Sequence, residues 1–188
     1  MRVALRERRR TLPAPARIAA AEALANQLLA LPFMPARGHV AGYWAMDGEI
    51  SLHAWQLRLA PTLSYCLPVL HEDGRLRFAV WNPGSALVTN RYGIPEPDID
   101  AGQLLEPDQM ALVVMPLVGF DASCHRIGMG GGWYDRSFAF RQSEPAPAWL
   151  VGAAFATQQL EYIERREWDV TLDAVCCEDV TYIAEPTA

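Results

Sequence analysis

A glycine-rich stretch in the second half of the chain is the segment best suited to bind a phosphate. Four of the five residues at 128–132 are glycine. They follow a strand-like run that ends at Pro116 and precede a helical pattern that begins near Trp133. Glycines let the main chain approach phosphate oxygens closely, and a helix N-terminus presents unpaired N–H groups. The pattern indicates a backbone phosphate cradle, with a simple turn cluster as the alternative.

Charged side chains flank this stretch. Arg126 and Arg136 are candidates to donate charge-assisted hydrogen bonds to phosphate oxygens. Asp135 is a candidate ligand for the Mg²⁺ that accompanies a nucleoside triphosphate, because Mg²⁺ binds carboxylate and phosphate oxygens. The alternative for Asp135 is a carboxylate that the helix dipole favours at a helix start.

Two other clusters contain carboxylates. The segment Trp44–Ile50 follows the first predicted strand, and ligands of open α/β sheets bind beyond the carboxyl ends of strands. Glu49 is therefore a candidate functional carboxylate, or else the cap of the next helix after a turn at Asp47–Gly48. In the segment 167–173, two carboxylates lie four positions apart, and one of them is Asp169. This pair is a candidate metal site or part of a solvated loop.

Aromatic side chains lie beside these clusters. Trp44, Trp133 and Tyr134 stand where a flat ring such as adenine would stack, and packing in the core is the competing interpretation.

Several chemistries are excluded or lack support. All 16 basic residues are arginine, so there is no lysine Schiff base, no lysine general base and no P-loop lysine. No G-x-S-x-G elbow occurs, and the four histidines lack metal-ligand spacing. The four cysteines form no C-x-x-C pair, and we expect them to be reduced thiols.

The elements that must position these residues alternate between helix and strand. This alternation predicts an α/β fold with an open, mostly parallel twisted sheet flanked by helices. The residues 71–74 predict a hairpin turn, and the Pro- and Asp-rich stretch Pro95–Pro107 predicts a long surface loop. Predicted helices cover 2–10, Ala16–Leu31, Leu52–Leu59 and Trp133–Phe140, and predicted strands cover His39–Trp44, Leu63–Val69, Leu76–Trp81, Ala111–Met115 and Leu150–Phe155.

Composition sets the broad class. A chain of 188 residues with 51% hydrophobic and 20% charged residues predicts one globular domain over 1–188. The net charge of −6 disfavours a nucleic-acid partner, and no apolar run reaches the roughly 20 residues that span a bilayer. The Arg-rich start contains Glu7 and runs into a long helical pattern, so we interpret it as part of the mature fold.

Five segments in order carry a resemblance to a known family. They are Arg2–Arg6, Met46–Glu49, Gly93–Pro97, the run from Pro116 through Phe120-Asp121 to Arg126–Arg136, and a late group formed by Gly152, Phe155, Gln158 and Asp169–Asp173. In this order they resemble the 5-formyltetrahydrofolate cyclo-ligases, also called methenyltetrahydrofolate synthetases, over nearly the whole chain. The resemblance implies a fold like that of sugar-phosphate isomerases and CoA-transferases.

The resemblance also implies site residues. It implies that ATP binds to Arg2, Arg6, Arg126, Ile127, Gly128, Met129, Gly130, Gly131, Gly132, Trp133 and Tyr134, that folate contacts Trp44, Glu49 and Met129–Tyr134, and that Asp135 and Asp169 hold Mg²⁺. Arg6, Arg126 and Glu49 would have the catalytic roles, the two arginines on the transferred phosphoryl group and the carboxylate on the folate. The chain departs from the family pattern at Arg2, Cys124, Met129, Trp133 and Trp168.

The implied activity is ATP-dependent cyclisation of 5-formyltetrahydrofolate to 5,10-methenyltetrahydrofolate, with release of ADP and phosphate. We expect a cytoplasmic enzyme that is a monomer or weak homodimer, with small-molecule substrates and no membrane or nucleic-acid partner. The alternatives are a ligase for another N-formyl or amide substrate, a binding protein without turnover, and a sugar-phosphate or CoA-linked enzyme suggested by fold alone.

Overall fold

The structure, a computed structural model, describes residues 1–185. The strands are β1 (Gly38–Ala41), β2 (Leu63–Leu70), β3 (Leu76–Val80), β4 (Leu87–Thr89), β5 (Pro95–Pro97), β6 (Met110–Pro116), β7 (Gly119–Phe120), β8 (Arg126–Ile127), β9 (Trp149–Ala153), β10 (Ala174–Cys176) and β11 (Thr181–Ile183). The helices are α1 (Arg2–Arg10), α2 (Ala14–Leu29), α3 (His53–Gln56) and α4 (Trp133–Ser137), with short 3₁₀ turns at Ala101–Gln103, Pro107–Gln109, Ala139–Gln142 and Ala156–Gln158.

Seven of these strands form the central sheet, in the order β11-β10-β9-β6-β1-β2-β3. The five inner strands are parallel, and β3 and β11 pair antiparallel at the two edges. Strand β6 is buried almost throughout, as expected for a strand covered on both faces. These findings confirm the predicted open α/β sheet.

The order of the strands creates a crevice beside β1. The chain continues from β1 to β2 on one side and later returns to β6 on the other side. In open α/β sheets such a reversal of strand order marks the place where ligands bind, beyond the carboxyl ends of the strands. The segments that follow β1 and β6 therefore lie where the sequence predicts a site.

The helices form where their residue types favour them. Helix α1 ends with Arg8, Arg9 and Arg10, whose charges suit the negative end of the helix dipole. Helix α2 is rich in Ala and Leu and carries a proline in its first turn, where no N–H is needed. In the described part of the chain, no helix is both long enough and apolar enough to cross a bilayer.

Most predicted elements are present, with corrections. The hairpin turn at 71–74 joins β2 to β3, as expected. Ile18, which belongs to the apolar repeat of α2, is 67% exposed instead of buried. The stretch Pro95–Pro107 is not one surface loop, because β5 pairs with β4 and the Glu96 carboxylate accepts hydrogen bonds from the Leu70 N–H and the Asn90 amide. Proline content suggested a solvated loop, but these buried bonds anchor the segment.

Two apolar cores lie on the two faces of the sheet. One contains Leu24, Leu28 and Trp55 from the helices α2 and α3, and the other contains Phe78 and Phe138. All four cysteines are free and buried inside the protein.

Candidate functional site

Helix α1 lies across the carboxyl edge of the sheet and buries one arginine there. The side chain of Arg9 is 0% exposed, although it carries a charge. Its Nε donates to the carbonyl oxygen of Asp47 at 3.0 Å, and its Nη1 donates to the carbonyl oxygen of Leu117 at 3.1 Å. Asp47 lies beyond β1 and Leu117 beyond β6, so Arg9 spans the crevice between these strands.

The carboxylate of Asp47 gathers three arginines of α1. Its Oδ2 lies 2.6 Å from Arg6 Nε and 3.0 Å from Arg9 Nη2, and its Oδ1 pairs with Arg10. The side chain of Asp47 is 17% exposed, so these ion pairs are partly shielded from water. The carboxylate therefore orients the arginines at the crevice, Arg6 among them.

A tight turn places Glu49 beside this cluster. Asp47 and Gly48 have φ values of 51° and 78°, and the Glu49 N–H donates to the Met46 carbonyl at 2.8 Å. The predicted turn at these residues is confirmed. The prediction that Glu49 caps the following helix is wrong, because α3 begins only at His53 and Glu49 Oε2 accepts from the Met46 N–H at 3.0 Å.

Burial and charge set the protonation of Glu49. Burial raises the pKa of its carboxyl, and the Met46 N–H, Arg9 and Arg6 oppose that rise because they favour the anion. Burial also raises the pKa of the Tyr134 phenol, and the nearby Glu49 charge raises it further. Glu49 and Tyr134 therefore lie within electrostatic reach of each other, although the sequence separates them widely.

The glycine-rich loop has an open backbone. A Cβ added at Gly128 or Gly130 would meet nothing within 4 Å. Gly132 caps α4 with a φ of 65°, and Arg136 Nη1 donates to the Gly131 carbonyl at 2.9 Å. Arg136 therefore secures the loop from within. The helix is shorter than predicted, because α4 gives way to a 3₁₀ turn after Ser137.

Arg126, Asp135 and the segment around Asp169 meet at one point. Arg126 pairs with the Asp135 carboxylate and donates to the Val170 carbonyl, and its side chain is 7% exposed. The Val170 N–H donates to Asp135 Oδ1 at 3.2 Å. The backbone next to Asp169 therefore contacts Asp135, while the carboxylate of Asp169 accepts the Arg166 N–H at 2.9 Å.

The donor set at this point suits Mg²⁺ only with help from a ligand. Among the described residues, no group of three or more His, Cys, Asp or Glu side chains could enclose a metal. Mg²⁺ in nucleotide sites commonly takes one or two carboxylates together with waters and phosphate oxygens. The Asp135 carboxylate is 27% exposed and suits that partial role, whereas the carboxylate of Asp169 is bonded within its own turn.

Aromatic residues surround the loop and the crevice. The Trp133 ring has the guanidinium carbons of Arg91 and Arg136 at 5.3 and 5.2 Å from its centroid, and Tyr92 packs edge-on at 6.4 Å. Met129 is 54% exposed at the loop tip. Trp44 is 36% exposed and meets Trp81 edge-on at 5.8 Å, so part of its ring faces solvent.

A cleft of about 350 Å³ opens beside Glu49. Arg17 and Ile18 of α2 line one wall, and Ser51, His53 and Phe155 line the other. Exposed Ile18 belongs to this cleft.

Two residues of the cluster were not predicted from the sequence. The sequence analysis did not single out Arg9 from the other arginines, and it assigned Asp47 only to a turn. The spacing could have identified Arg9, because Arg2, Arg6 and Arg9 recur at intervals of four and three on the same helical face as Leu5. The bond from Arg2 Nε to the Gly128 carbonyl, 2.9 Å long, shows that this face meets the glycine-rich loop.

The chain is similar to proteins of one enzyme family. Residues 1–178 match the 5-formyltetrahydrofolate cyclo-ligase family. The chain is 35% identical over 175 residues to the 5-formyltetrahydrofolate cyclo-ligase of Escherichia coli (strain K12), covering 91% of this chain and 94% of that protein. It is 35% identical over 137 residues to the corresponding enzyme of Haemophilus influenzae, covering 71% and 72%.

A solved structure shares the fold. The NMR structure of the Aquifex aeolicus 5,10-methenyltetrahydrofolate synthetase has a TM-score of 0.82 and 24% identity, and the match covers 100% of this chain and 92% of that one. At that identity the likeness concerns the fold. The family match over most of the chain and the two bacterial relatives together show that the chain belongs to the 5-formyltetrahydrofolate cyclo-ligase family.

Proposed function

We propose that the crevice and the glycine-rich loop form an active site for ATP-dependent cyclisation of 5-formyltetrahydrofolate to 5,10-methenyltetrahydrofolate, with release of ADP and phosphate. The observation that carries the assignment of residues is the position of α1. Its first arginine contacts the loop at Gly128, and Arg6 and Arg9 contact the turn that holds Glu49. One helix therefore joins the proposed nucleotide and folate ends.

The nucleotide end comprises the loop and its cations. The open backbone at Gly128 and Gly130 leaves room for phosphate oxygens to approach main-chain N–H groups. Arg2 and Arg6 supply positive charge from α1, and Arg126 supplies it from β8. The proposed ATP-binding residues are Arg2, Arg6, Arg126 and Ile127–Tyr134.

The folate end centres on Glu49. A carboxylate accepts hydrogen bonds from the amino and ring N–H groups of a pterin, and the exposed part of the Trp44 ring offers a flat apolar surface. The proposed folate contacts are Trp44, Glu49 and Met129–Tyr134. Tyr134 then lies between the two ends, consistent with its electrostatic coupling to Glu49.

The chemical task is to make a formamide reactive. Resonance makes its carbonyl a poor electrophile, so the formyl oxygen takes the γ-phosphoryl group of ATP and ADP leaves. N10 of the folate then attacks the formyl carbon, which closes the ring, and N10 gives up its proton. The C–O bond to the phosphate breaks, phosphate leaves, and the methenyl cation remains. In phosphoryl transfer a protein contributes positioning and charge stabilisation, which here fall to Arg2, Arg6 and Arg126.

Asp135 and Asp169 would hold Mg²⁺ together with the ATP phosphates. The ion would neutralise phosphate charge when bound. The protein's own part is to hold the Asp135 carboxylate beside Arg126 and the backbone of Val170.

We also propose that the protein works in the cytoplasm as a monomer or weak homodimer. The unpaired buried cysteines suit a reducing compartment. Light scattering over a range of protein concentrations measures the oligomeric state.

A coupled assay tests the function. Purified protein with MgATP and 5-formyltetrahydrofolate should form 5,10-methenyltetrahydrofolate, measured by its absorbance, and an equal amount of ADP. Omission of ATP should abolish both products. ADP release without methenyl product would point to another acceptor, and no turnover with tight folate binding would contradict an enzymatic role.

A further inference from the structure

Arg9 is fully buried, whereas an arginine that binds phosphate must be accessible to its ligand. Its side chain has no exposed surface, whereas that of Arg6 is 32% exposed and that of Arg10 is 47% exposed. Removing a guanidinium from water is costly unless hydrogen bonds and charge compensate for it. Arg9 has both, since three of its nitrogens find oxygen partners.

These partners lie on both sides of the crevice. Two belong to Asp47, on the turn beyond β1, and the third is the Leu117 carbonyl, beyond β6. A planar guanidinium presents several donors in a fixed fork, which a lysine ammonium does not. The side chain of Arg9 therefore holds the turn beyond β1 at a set distance from the segment beyond β6.

Glu49 is the carboxylate that this arrangement serves. Arg9 Nη2 lies 3.7 Å from Glu49 Oε1, and the Glu49 side chain is 11% exposed. The other groups facing Glu49 are Arg6 of α1, Asp47 of the same turn, the phenols of Tyr43 and Tyr134, and Arg17 and His53 across the cleft. Within residues 1–185, Arg9 is the residue that forms an ion pair with this carboxylate.

We infer that Arg9 is a positioning residue for the folate end of the site: it fixes the Glu49 turn against the segment beyond β6, and its guanidinium forms the ion pair with the Glu49 carboxylate. The inference rests on the role proposed for Glu49. Arg9 itself is too buried to contact substrate, so it acts through Glu49.

Two substitutions separate the positive charge of Arg9 from the hydrogen bonds that its planar guanidinium makes. Arg9→Met removes both the charge and the hydrogen bonds. Arg9→Lys keeps the charge but cannot make the same set of hydrogen bonds. Leu5→Ala is the control, because Leu5 is an uncharged residue that is 2% exposed on the same helix and packs near Gly119. It weakens the docking of α1 without removing a charge.

The direct measurement is the pKa of Glu49, followed by ¹³C NMR of the carboxyl carbon in the ligand-free protein. Arg9→Met should raise this pKa by about one pH unit, because an opposite charge within about 4–6 Å favours the anion. We call the fall of kcat/KM for 5-formyltetrahydrofolate at low pH the acid limb. It should move to higher pH by the same amount, because the Glu49 carboxylate is protonated as the pH falls through its pKa. Arg9→Lys should keep the limb in place.

Steady-state kinetics provide the second measurement. Arg9→Met and Arg9→Lys should raise the KM for 5-formyltetrahydrofolate about tenfold, which corresponds to about 1.4 kcal/mol, with less effect on the KM for ATP. Leu5→Ala removes no charge, so it should lower Tm and leave the acid limb unchanged. If Arg9→Met matches Leu5→Ala in all these properties, or if Arg9→Lys has the folate KM of the wild type, the inference is wrong.

The NMR titration also separates this inference from the proposed function. It reads the Arg9–Glu49 coupling without substrate, so it decides the charge relationship even if Glu49→Gln shows that Glu49 does not bind folate.

Discussion

The Arg2 guanidinium donates a 2.9 Å hydrogen bond to the carbonyl oxygen of Gly128, although the two residues are 126 positions apart in the chain. This bond places a cation at the open backbone of the glycine-rich loop. It links the first turn of α1 to the loop that we propose to bind phosphate.

Replacing Arg2 should therefore weaken ATP binding. Arg2→Met removes a charge-assisted donor, a contact worth about 1.5–3 kcal/mol, so we expect the KM for ATP to rise at least tenfold. Arg8→Met is a matched control, because Arg8 is exposed on the same helix. Equal KM values for ATP in the two variants would contradict a role for Arg2 at the nucleotide.

Asp135→Asn tests the metal and phosphate end. Loss of the carboxylate charge should lower kcat by about 10² or more, as removal of a key electrostatic group typically does, and should raise the Mg²⁺ concentration needed for half activity. Asp108→Asn, at an exposed position, should leave kcat unchanged. A thermal melt checks that loss of the Arg126 ion pair does not unfold the variant, and near wild-type turnover would contradict the assignment.

Glu49→Gln tests the folate end. It should lower kcat/KM for 5-formyltetrahydrofolate about 10²-fold. The control Glu7→Gln changes an exposed side chain of α1 and should have no effect. Burial raises the pKa of Glu49, so the wild-type acid limb should lie above about pH 4.3, the ordinary glutamate value. Activity falls as the pH drops through this pKa, because the anion is the form that accepts hydrogen bonds. The same limb in Glu49→Gln would assign the titration to another group.

Gly42 leaves room for the Tyr65 phenol. A Cβ at this position would lie 2.7 Å from Tyr65 Cζ, and the Tyr65 ring is held by Trp55 at 5.9 Å and Trp81 at 6.5 Å. Gly42→Ala should therefore lower the free energy of unfolding by about 1–3 kcal/mol in a urea titration. Gly102→Ala meets nothing within 4 Å and should change it little, and equal values would show that the Tyr65 ring moves freely.

The cysteines should resist alkylation in the native state. Burial raises the pKa of Cys66 to about 12 and that of Cys176 to about 11, so few thiolates exist at pH 8. A thiol reagent at pH 8 should label none of the four cysteines rapidly in the folded protein and all four after unfolding. Rapid labelling of one thiol in the folded protein would reveal an accessible cysteine.

The periodicity of apolar residues was sufficient to predict the central sheet but not the short strands outside it. Strands β2 and β6 were predicted closely because nearly all of their residues are apolar. Strands β4 and β5 span only three residues each, too few for a periodic pattern, and β5 contains two prolines. Its stability comes from the long-range bond between Glu96 and Leu70.

The candidate site was predicted in part because its glycines and carboxylates have local signatures. Arg9 has none, since its importance comes from acceptors on two separate segments, at Asp47 and Leu117. Composition could not distinguish this buried arginine from its exposed neighbour Arg10.

The long separation between α1 and the loop it contacts has a consequence for biosynthesis. A ribosome adds about 5–20 residues per second, so α1 emerges roughly 6–25 s before the glycine-rich loop exists. During that interval Asp47 is already available to Arg6, Arg9 and Arg10, but Arg2 lacks its partner at Gly128. The contact between α1 and the loop must therefore form late in translation, and a nascent chain released before β8 would carry the N-terminal helix without the loop that it contacts.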